Sequence, residues 1–291
     1  MEKPVSGQTV FLIGSAASGA MSPSLWNPVL QQLGVPWLYE SWDVPADSSM
    51  DRVRRRLLDD DVMAANVTMP HKQWAAQTAD IVSESVLVSG ASNLLIAEGS
   101  QLRAYNTDVS AVAELLGDRH QRHALILGAG GAARAALVAL EGRVARITVA
   151  DRDTRAAAAL AALAAGLGIA AEAVAWGEAQ ALARGASLIV NATPIGKGAG
   201  DAPVWGAGAL AQDAFVYDFV YARHPTATIS AARGQGLECA DGWDHLQAQA
   251  AAMVPLLGLG PGAYRLLRET LSGIKASASK QVAEPGPGES I

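Results

Sequence analysis

The 291-residue chain has a single cysteine, Cys239, so no disulfide can form within one molecule. Such usage fits a reducing compartment. No His or Cys motif accompanies it, which leaves Cys239 as a small buried apolar residue and gives no reason to expect a metal. Basic runs are also lacking. The one short exception, RVRRR at Arg52 to Arg56, reads as a solvated helix face, and the net charge is −6; a nucleic-acid partner is not expected. No apolar stretch approaches the roughly 18 residues of a membrane span. The opening MEKPVSGQTVFLIG carries only a short strand-like run and no signal-peptide pattern, so a cytoplasmic protein with no membrane partner is expected. No internal repeat is visible, and the long alanine tracts read as helix composition.

What is present in quantity is apolar material, 50% of the residues, enough for sizeable cores. At this length two domains are the natural expectation. The stretch that organises the chain is HALILGAGGAARAALVAL, His123 to Leu140. An apolar strand runs into Gly128, Gly130 and Gly131, and a run of strong helix formers follows. Gly128-x-Gly130-x-x-Ala133 fits a dinucleotide-binding turn: Gly128 for the tight turn, Gly130 for close approach of backbone to a pyrophosphate, small Ala133 for helix-on-strand packing. The helix N-terminus offers free N–H groups to the anion. A glycine turn between strand and helix is common in α/β proteins, so context matters. A second apolar strand, Ala145 to Ala150, ends at Asp151, 23 positions after Gly128, where an acid that grips the ribose 2′-OH is expected.

The first hundred residues alternate strand and helix signals. Thr9–Ile13, Trp37–Val44 and Val62–Met69 read as strands; Ser22-Pro23 opens a helix stopped at Gly34, and another helix starts at His71. The alternation favours a mostly parallel sheet. A turn at Glu98-Gly99-Ser100 marks a hairpin, and Asp108 stands where it could cap the helix that follows. Beyond the glycine turn come strands ending at Asn191 and Val220, a short strand near Cys239, and a long helix after Asp241-Gly242. The expected division is 1–108 for substrate, 109–242 for nucleotide, 243–274 for helices returning to the substrate domain, and a disordered tail at 275–291.

Polar residues at strand ends in the first domain suit a small, polyhydroxylated, carboxylated ligand. Ser22, Asn66, Thr68, Asn93 and, from the C-terminal segment, Gln249 supply neutral donors and acceptors; Lys72 and Asp108 supply opposite charges. Hydride transfer to a ketone builds charge on oxygen and needs a proton donor within reach, which a lysine beside a carboxylate provides. Spacing does not show that the two meet, since 36 residues separate them. Read from composition alone they remain a surface lysine and a helix cap.

The stretches SPSLWN, NVTMPHK, GASN, NTD, GAGGAAR, NATPIG, DFVY and ADG…Q, in this order over about residues 9 to 270, resemble the shikimate dehydrogenase family. The resemblance implies a mixed α/β substrate domain and a Rossmann nucleotide-binding domain, with C-terminal helices returning to the first. It implies interconversion of 3-dehydroshikimate and shikimate with NADP(H), some paralogues accepting quinate and NAD(H). It matches Lys72 and Asp108 to the catalytic pair. Ser22 matches a carboxylate-binding serine; Asn66, Thr68 and Asn93 match ring contacts; Tyr221 and Gln249 match further substrate contacts. Gly128, Gly130, Gly131, Ala132 and Arg134 match the phosphate loop, with Asp151, Arg152, Asn191, Thr193 and Gly242 assigned to the nucleotide.

Three departures from the family pattern stand out. Its first carboxylate-binding serine, two positions before Ser22, is Ala20 here, with Ser15 and Ser18 as possible substitutes. A GLGML-like helix entry reads GWDHL, Gly242 to Leu246. An Asn-Arg-Thr stretch after the second Rossmann strand reads ADRDTR, Ala150 to Arg155: Asp151 and Asp153 disfavour a 2′-phosphate while Arg152 and Arg155 argue the other way. The cofactor is therefore expected to be NAD or NADP, with NAD favoured. Oligomeric state is left as monomer or homodimer. Three other readings stay open: a paralogue preferring quinate or a modified shikimate, a methylene-tetrahydrofolate dehydrogenase, and a non-catalytic nucleotide-binding sensor. The Lys72/Asp108 pair speaks against the sensor.

Overall fold

The computed structural model describes residues 7–198, 200–206, 208–222 and 224–283, and divides into two compact units. The first comprises residues 7–117 with 134–140 and 247–270; the second comprises 118–133, 141–246 and 271–283.

In the first unit the order is β1 (Gln8–Gly14), α1 (Ser22–Gln32), β2 (Trp37–Asp43), α2 (Met50–Leu57), β3 (Val62–Val67), α3 (Lys72–Thr78), β4 (Ile81–Val82), α4 (Glu84–Ser89), β5 (Leu94–Glu98), β6 (Gln101–Tyr105) and α5 (Thr107–Leu116). Six strands form one sheet in the order β2-β1-β3-β5-β6-β4. β1 runs parallel to β2 and β3, whereas β5 is antiparallel to β3 and β6. The sheet is mostly parallel, as the alternation predicts: β4 pairs parallel with β6, and among its six strands only β5 runs against the others, because the tight turn at Gly99, φ +63°, folds β6 straight back on it. From Val10 to Ile13 β1 is continuously apolar and buried, as a strand covered on both faces requires. α1 takes Pro23 in its first turn and buries Leu25, Trp26, Val29 and Leu30. Each such side chain contributes about 1.5–3 kcal/mol on burial.

The arginine run lies on α2, where Arg54 pairs with Asp80 and Arg56 with Asp59 and Asp61. These are partly exposed pairs on a solvated face.

The second unit contains β7 (Gln121–Leu127), α6 (Gly131–Ala139), β8 (Val144–Ala150), α7 (Thr154–Gly166), β9 (Ala170–Ala173), α8 (Trp176–Leu182), β10 (Leu188–Asn191), β11 (Phe215–Asp218), α9 (Ala227–Gly234), β12 (Cys239–Ala240), α10 (Gly242–Leu256) and α11 (Gly262–Ala283). From residue 134 α6 counts with the first unit, as does α10 from residue 247 and α11 up to residue 270. All six strands are parallel, in the order β12-β11-β10-β7-β8-β9. This is the doubly wound order, whose switch point falls between β7 and β10. The loops leaving those two strands carry Gly128 and Asn191.

Two expectations are corrected. α11 continues to Ala283, through the first part of the segment expected to be disordered, since Lys275 to Ala283 is built largely of good helix formers; residues 284–291 lie outside the described residues. Cys239 is half-buried beside Arg233 rather than enclosed, because β12 is an edge strand. Among the described residues, no helix is long and apolar enough to cross a membrane, and no cluster of three or more His, Cys, Asp or Glu could hold a metal.

Candidate functional site

The first unit brings Lys72 and Asp108 together. Lys72 opens α3 directly after Pro70-His71, and its carbonyl accepts from the Ser92 amide at 2.8 Å, which fixes the helix start beside the β5 entry. Its Nζ lies 2.5 Å from Asp108 Oδ2. The Asp108 side chain is 2% exposed and that of Lys72 17%, so the carboxylate is enclosed while the lysine side chain keeps some contact with solvent. Asp108 does not cap α5, as sequence position suggested: Asn106 holds the cap position, and Asp108 stands one residue inside the helix with its carboxylate turned to the lysine.

Asn93 completes the arrangement. Its Nδ2 donates to Asp108 Oδ1 at 2.8 Å and to Thr107 Oγ1 at 2.9 Å, while its Oδ1 accepts from the Thr107 amide at 2.8 Å. Both Asp108 oxygens are therefore engaged, by a cation and by an amide, as a buried carboxylate requires. Asn66, at the end of β3, donates from Nδ2 to the Asn93 carbonyl at 3.0 Å, and its Oδ1 accepts from the Tyr39 hydroxyl. Thr68 follows half-buried; its amide donates to Ile13 O, and its methyl occupies the space a Cβ on Gly14 would need. Ser22 is the first residue of α1 and Gln249 lies on the part of α10 that belongs to this unit, both half-buried.

Ala20 ends a short 3₁₀ turn, half-buried, two residues before Ser22. Ser18 does not replace the missing hydroxyl freely. Its amide donates to Asp43 Oδ1 at 2.8 Å, and its hydroxyl bonds the same carboxylate, holding Asp43 below its ordinary pKa. Ala20→Ser is thus expected to lower KM for a carboxylated ring substrate severalfold, since a hydrogen bond to a charged group contributes about 1.5–3 kcal/mol at most. Steady-state kinetics checks this; an unchanged or raised KM means that the carboxylate is held elsewhere.

The second unit carries the glycine loop. Gly128 has φ +104°, and a Cβ there would lie 2.7 Å from Ala192 O, so the loops after β7 and β10 touch where no side chain fits. Gly130 is exposed, and a Cβ on it would meet nothing within 4 Å, which leaves the backbone open to a ligand. Gly131 and Ala132 start α6 and are half-buried; Ala133 is fully buried. The loop thus fits a dinucleotide pyrophosphate, with open backbone at a helix N-terminus.

Asp151, just past β8, is anchored through both oxygens: Oδ2 accepts from the Ala129 amide and Oδ1 from the Asp153 amide, each at 2.8 Å. Asp153 caps α7 through the Arg155 and Ala156 amides. Arg152 and Arg155 are exposed.

Asn191 is fully buried and shapes its loop from within. Its Nδ2 donates to Ile195 O at 2.9 Å and Asp218 Oδ1 at 2.8 Å, and its Oδ1 accepts from Thr193. Gly242 begins α10 against the 220–221 backbone, where a Cβ would collide with Val220 and Tyr221. Tyr221 lies in this unit with its ring 5.9 Å from that of Trp243. His245 is buried, and its Nδ1 is 2.6 Å from the Tyr217 hydroxyl.

Sequence reasoning missed Tyr39 and Asp218. Tyr39 reads as one inward position of an alternating strand; only its hydroxyl, which needs a partner when buried, signals more. Asp218 is a carboxylate at a strand end, visible as the acid in DFVY. Burial pushes its carboxyl up to about 6, against hydrogen bonds from the Thr226 hydroxyl at 2.6 Å, the Val220 amide at 3.0 Å and Asn191. Because the folded state binds this proton more tightly, the group's stabilising contribution is present at low pH and lost as pH rises through about 6. The gap from 3.8 to about 6 corresponds to about 3 kcal/mol. Wild type should therefore gain about 2–3 kcal/mol over Asp218→Asn between pH 7 and pH 4 in urea unfolding; a constant difference contradicts the assignment.

A sequence model of the shikimate dehydrogenase substrate binding domain matches residues 12–95. The curated shikimate dehydrogenase (NADP(+)) of Methylobacterium radiotolerans is 36% identical over 256 residues, covering 84% of this chain and 89% of the relative. The chain belongs to the shikimate dehydrogenase family. Among solved structures, shikimate 5-dehydrogenase from Thermus thermophilus, in complex with NADP(H) and shikimate, superposes with TM-score 0.73 at 27% identity, covering 90% of this chain and 99% of that one. Quinate dehydrogenase from Corynebacterium glutamicum, in complex with NAD, gives TM-score 0.80 at 27% identity, with coverage of 91% and 99%. The family match covers both the unit holding Lys72 and the unit holding the glycine loop.

Proposed function

We propose that this chain interconverts shikimate and 3-dehydroshikimate with a nicotinamide dinucleotide. The observation that carries the reading is the enclosed Lys72–Asp108 contact, one carboxylate oxygen on the lysine and the other on Asn93. When bound, the nucleotide supplies the hydride acceptor or donor. The chain's own residues handle the proton. In ketone reduction the Lys72 ammonium gives a proton to the oxygen as the carbon gains hydride, and is left as the amine; in alcohol oxidation that amine takes the proton from the substrate hydroxyl as the carbon loses hydride. Asp108 stabilises the ammonium and aims it, and Asn93 keeps Asp108 from turning away. Ser22 at the α1 N-terminus suits the carboxylate; Asn66, Thr68, Asn93 and Gln249 suit the ring hydroxyls, and Tyr221 supplies a further contact.

We assign Gly128, Gly130, Gly131 and Ala132 to the pyrophosphate and Asp151 to the adenosine ribose, with Asn191, Thr193 and Gly242 shaping the loops around the nucleotide. The preferred nucleotide on this reading is NAD. An anchored Asp151 carboxylate accepts from a free 2′-OH and repels a 2′-phosphate. The curated relatives are named for NADP(+), so the preference rests on these side chains of this chain. A second reading, quinate as the better substrate, is favoured by Ala20. The test is kcat/KM for shikimate and quinate, each with NAD and NADP, in wild type and Asp151→Asn. Shikimate with NAD should lead, and Asp151→Asn should narrow the NAD advantage. A wild-type preference for NADP that Asp151→Asn leaves unchanged refutes the role given to Asp151, and a lead for quinate refutes the substrate.

A further inference from the structure

We infer that Tyr39 is a positioning residue for substrate binding: its hydroxyl sets the side-chain amide of Asn66, and Asn66 in turn bonds the residue that orients Asp108. The inference rests on the functional reading above insofar as Asn66 touches the substrate ring.

Tyr39 lies on β2, remote in sequence from every site motif, and is 2% exposed. It is fixed by features that do not involve Asn66. The Asn27 side chain clamps its backbone, Nδ2 donating to Tyr39 O at 2.9 Å and Oδ1 accepting from Tyr39 N at 2.8 Å. Its ring lies parallel to that of Trp26, with centroids 6.3 Å apart and planes within 1°. Trp26 and Asn27 both belong to the SPSLWN helix that begins at Ser22. The ring therefore arrives as part of a rigid wall, with its hydroxyl aimed at Asn66 Oδ1.

That contact and one to Asn93 hold the Asn66 amide from both ends. Asn66 Nδ2 donates to the Asn93 carbonyl at 3.0 Å, so its Oδ1 must be the atom facing Tyr39, and the tyrosine O–H donates to it. Turning the amide over would set oxygen against the Asn93 carbonyl and lose that bond, leaving the Tyr39 hydroxyl to accept from Nδ2 instead. With the plane fixed, the second Nδ2–H of Asn66 has one direction only. A donor aimed in advance binds a ring hydroxyl without the entropy of finding its orientation. Asn93 then carries the order onward, since its own Nδ2 holds Asp108 Oδ1 and Asp108 holds Lys72. Packing alone gives no reason for the hydroxyl: phenylalanine would fill the same place against Trp26.

The test is Tyr39→Phe, which removes one oxygen and leaves the ring. We expect kcat/KM for shikimate to fall about tenfold, mostly through KM, with KM for the nucleotide unchanged. In an Asn66→Ala background the same change should have no further effect, because the hydroxyl acts through that amide. Wild-type kinetics in Tyr39→Phe, or an equal loss in both backgrounds, overturns the proposal. A substrate-free readout keeps the two readings apart. The Asn66 side-chain amide signals, identified by their loss in Asn66→Asp, should shift and exchange faster with solvent in Tyr39→Phe than in wild type. Unchanged signals overturn the positioning role even if shikimate proves to be the wrong substrate; shifted signals in a protein inactive on shikimate refute the substrate reading alone.

Discussion

Lys72→Ala is expected to lower kcat by roughly a thousandfold while leaving nucleotide affinity within about twofold, the range that loss of a positioned general acid produces. The two halves of this expectation come from different units. Lys72 Nζ meets Asp108 in the first unit, so its loss removes the group that exchanges the substrate proton; the glycine loop belongs to the second. The variant also leaves the enclosed Asp108 carboxylate without its cation. Breaking a buried pair on one side costs about 3–5 kcal/mol if the survivor stays charged. The cost is relieved if Asp108 takes up a proton, so the variant should regain stability relative to wild type as pH falls. Single-turnover kinetics, nucleotide titration and urea unfolding at two pH values read all three effects. A kcat within tenfold of wild type would remove Lys72 from the proton path.

Gly128→Ala is expected to weaken nucleotide binding by about a hundredfold, equivalent to about 2.7 kcal/mol. Two independent penalties act at this position. Alanine resists φ +104°, and its Cβ would lie 2.7 Å from Ala192 O and 2.9 Å from Ala192 C, both backbone atoms that cannot swing aside. The loops after β7 and β10 must part, and Thr193 with the Asn191 network moves with the second of them. Shikimate binding measured without nucleotide should be unaffected, since Lys72, Asp108, Asn93 and Asn66 stand in the other unit. Calorimetric titration of each ligand separates the two. Nucleotide affinity equal to wild type would mean that the loop does not contact the pyrophosphate.

Much of this architecture was legible in the residues. The β7 apolar run, the glycine spacing and the Asp151 offset are local patterns, and local physics suffices to place a strand, a turn and a helix. The hairpin at Gly99 was equally legible, and so was the mostly parallel sheet, but that β5 would be its one reversed strand was not, because this depends on where β5 docks beside β3. The site was legible as a set of residue types and not as a constellation. Nothing in a 36-residue separation tells that Lys72 reaches Asp108; that follows from the Lys72 carbonyl bonding the Ser92 amide, and from Asn93 tying that segment to α5. Asp108 was misread as a cap for the same reason: a carboxylate near a helix start satisfies the local rule, and only tertiary contact shows that Asn106 holds the position. Asp218 and Tyr39 escaped because their roles lie in single oxygen atoms whose partners come from other strands and loops.

The central claim is that the chain passes a hydride between nucleotide and ring carbon while Lys72 manages the proton. The most direct measurement offers 3-dehydroshikimate with reduced nicotinamide nucleotide deuterated at the transferring carbon, followed by mass analysis of the ring product. Shikimate carrying one deuterium for each nucleotide oxidised is expected, with negligible product from Lys72→Ala over the same time. Unlabelled shikimate, or no product from a wild-type protein that binds both ligands, would contradict it.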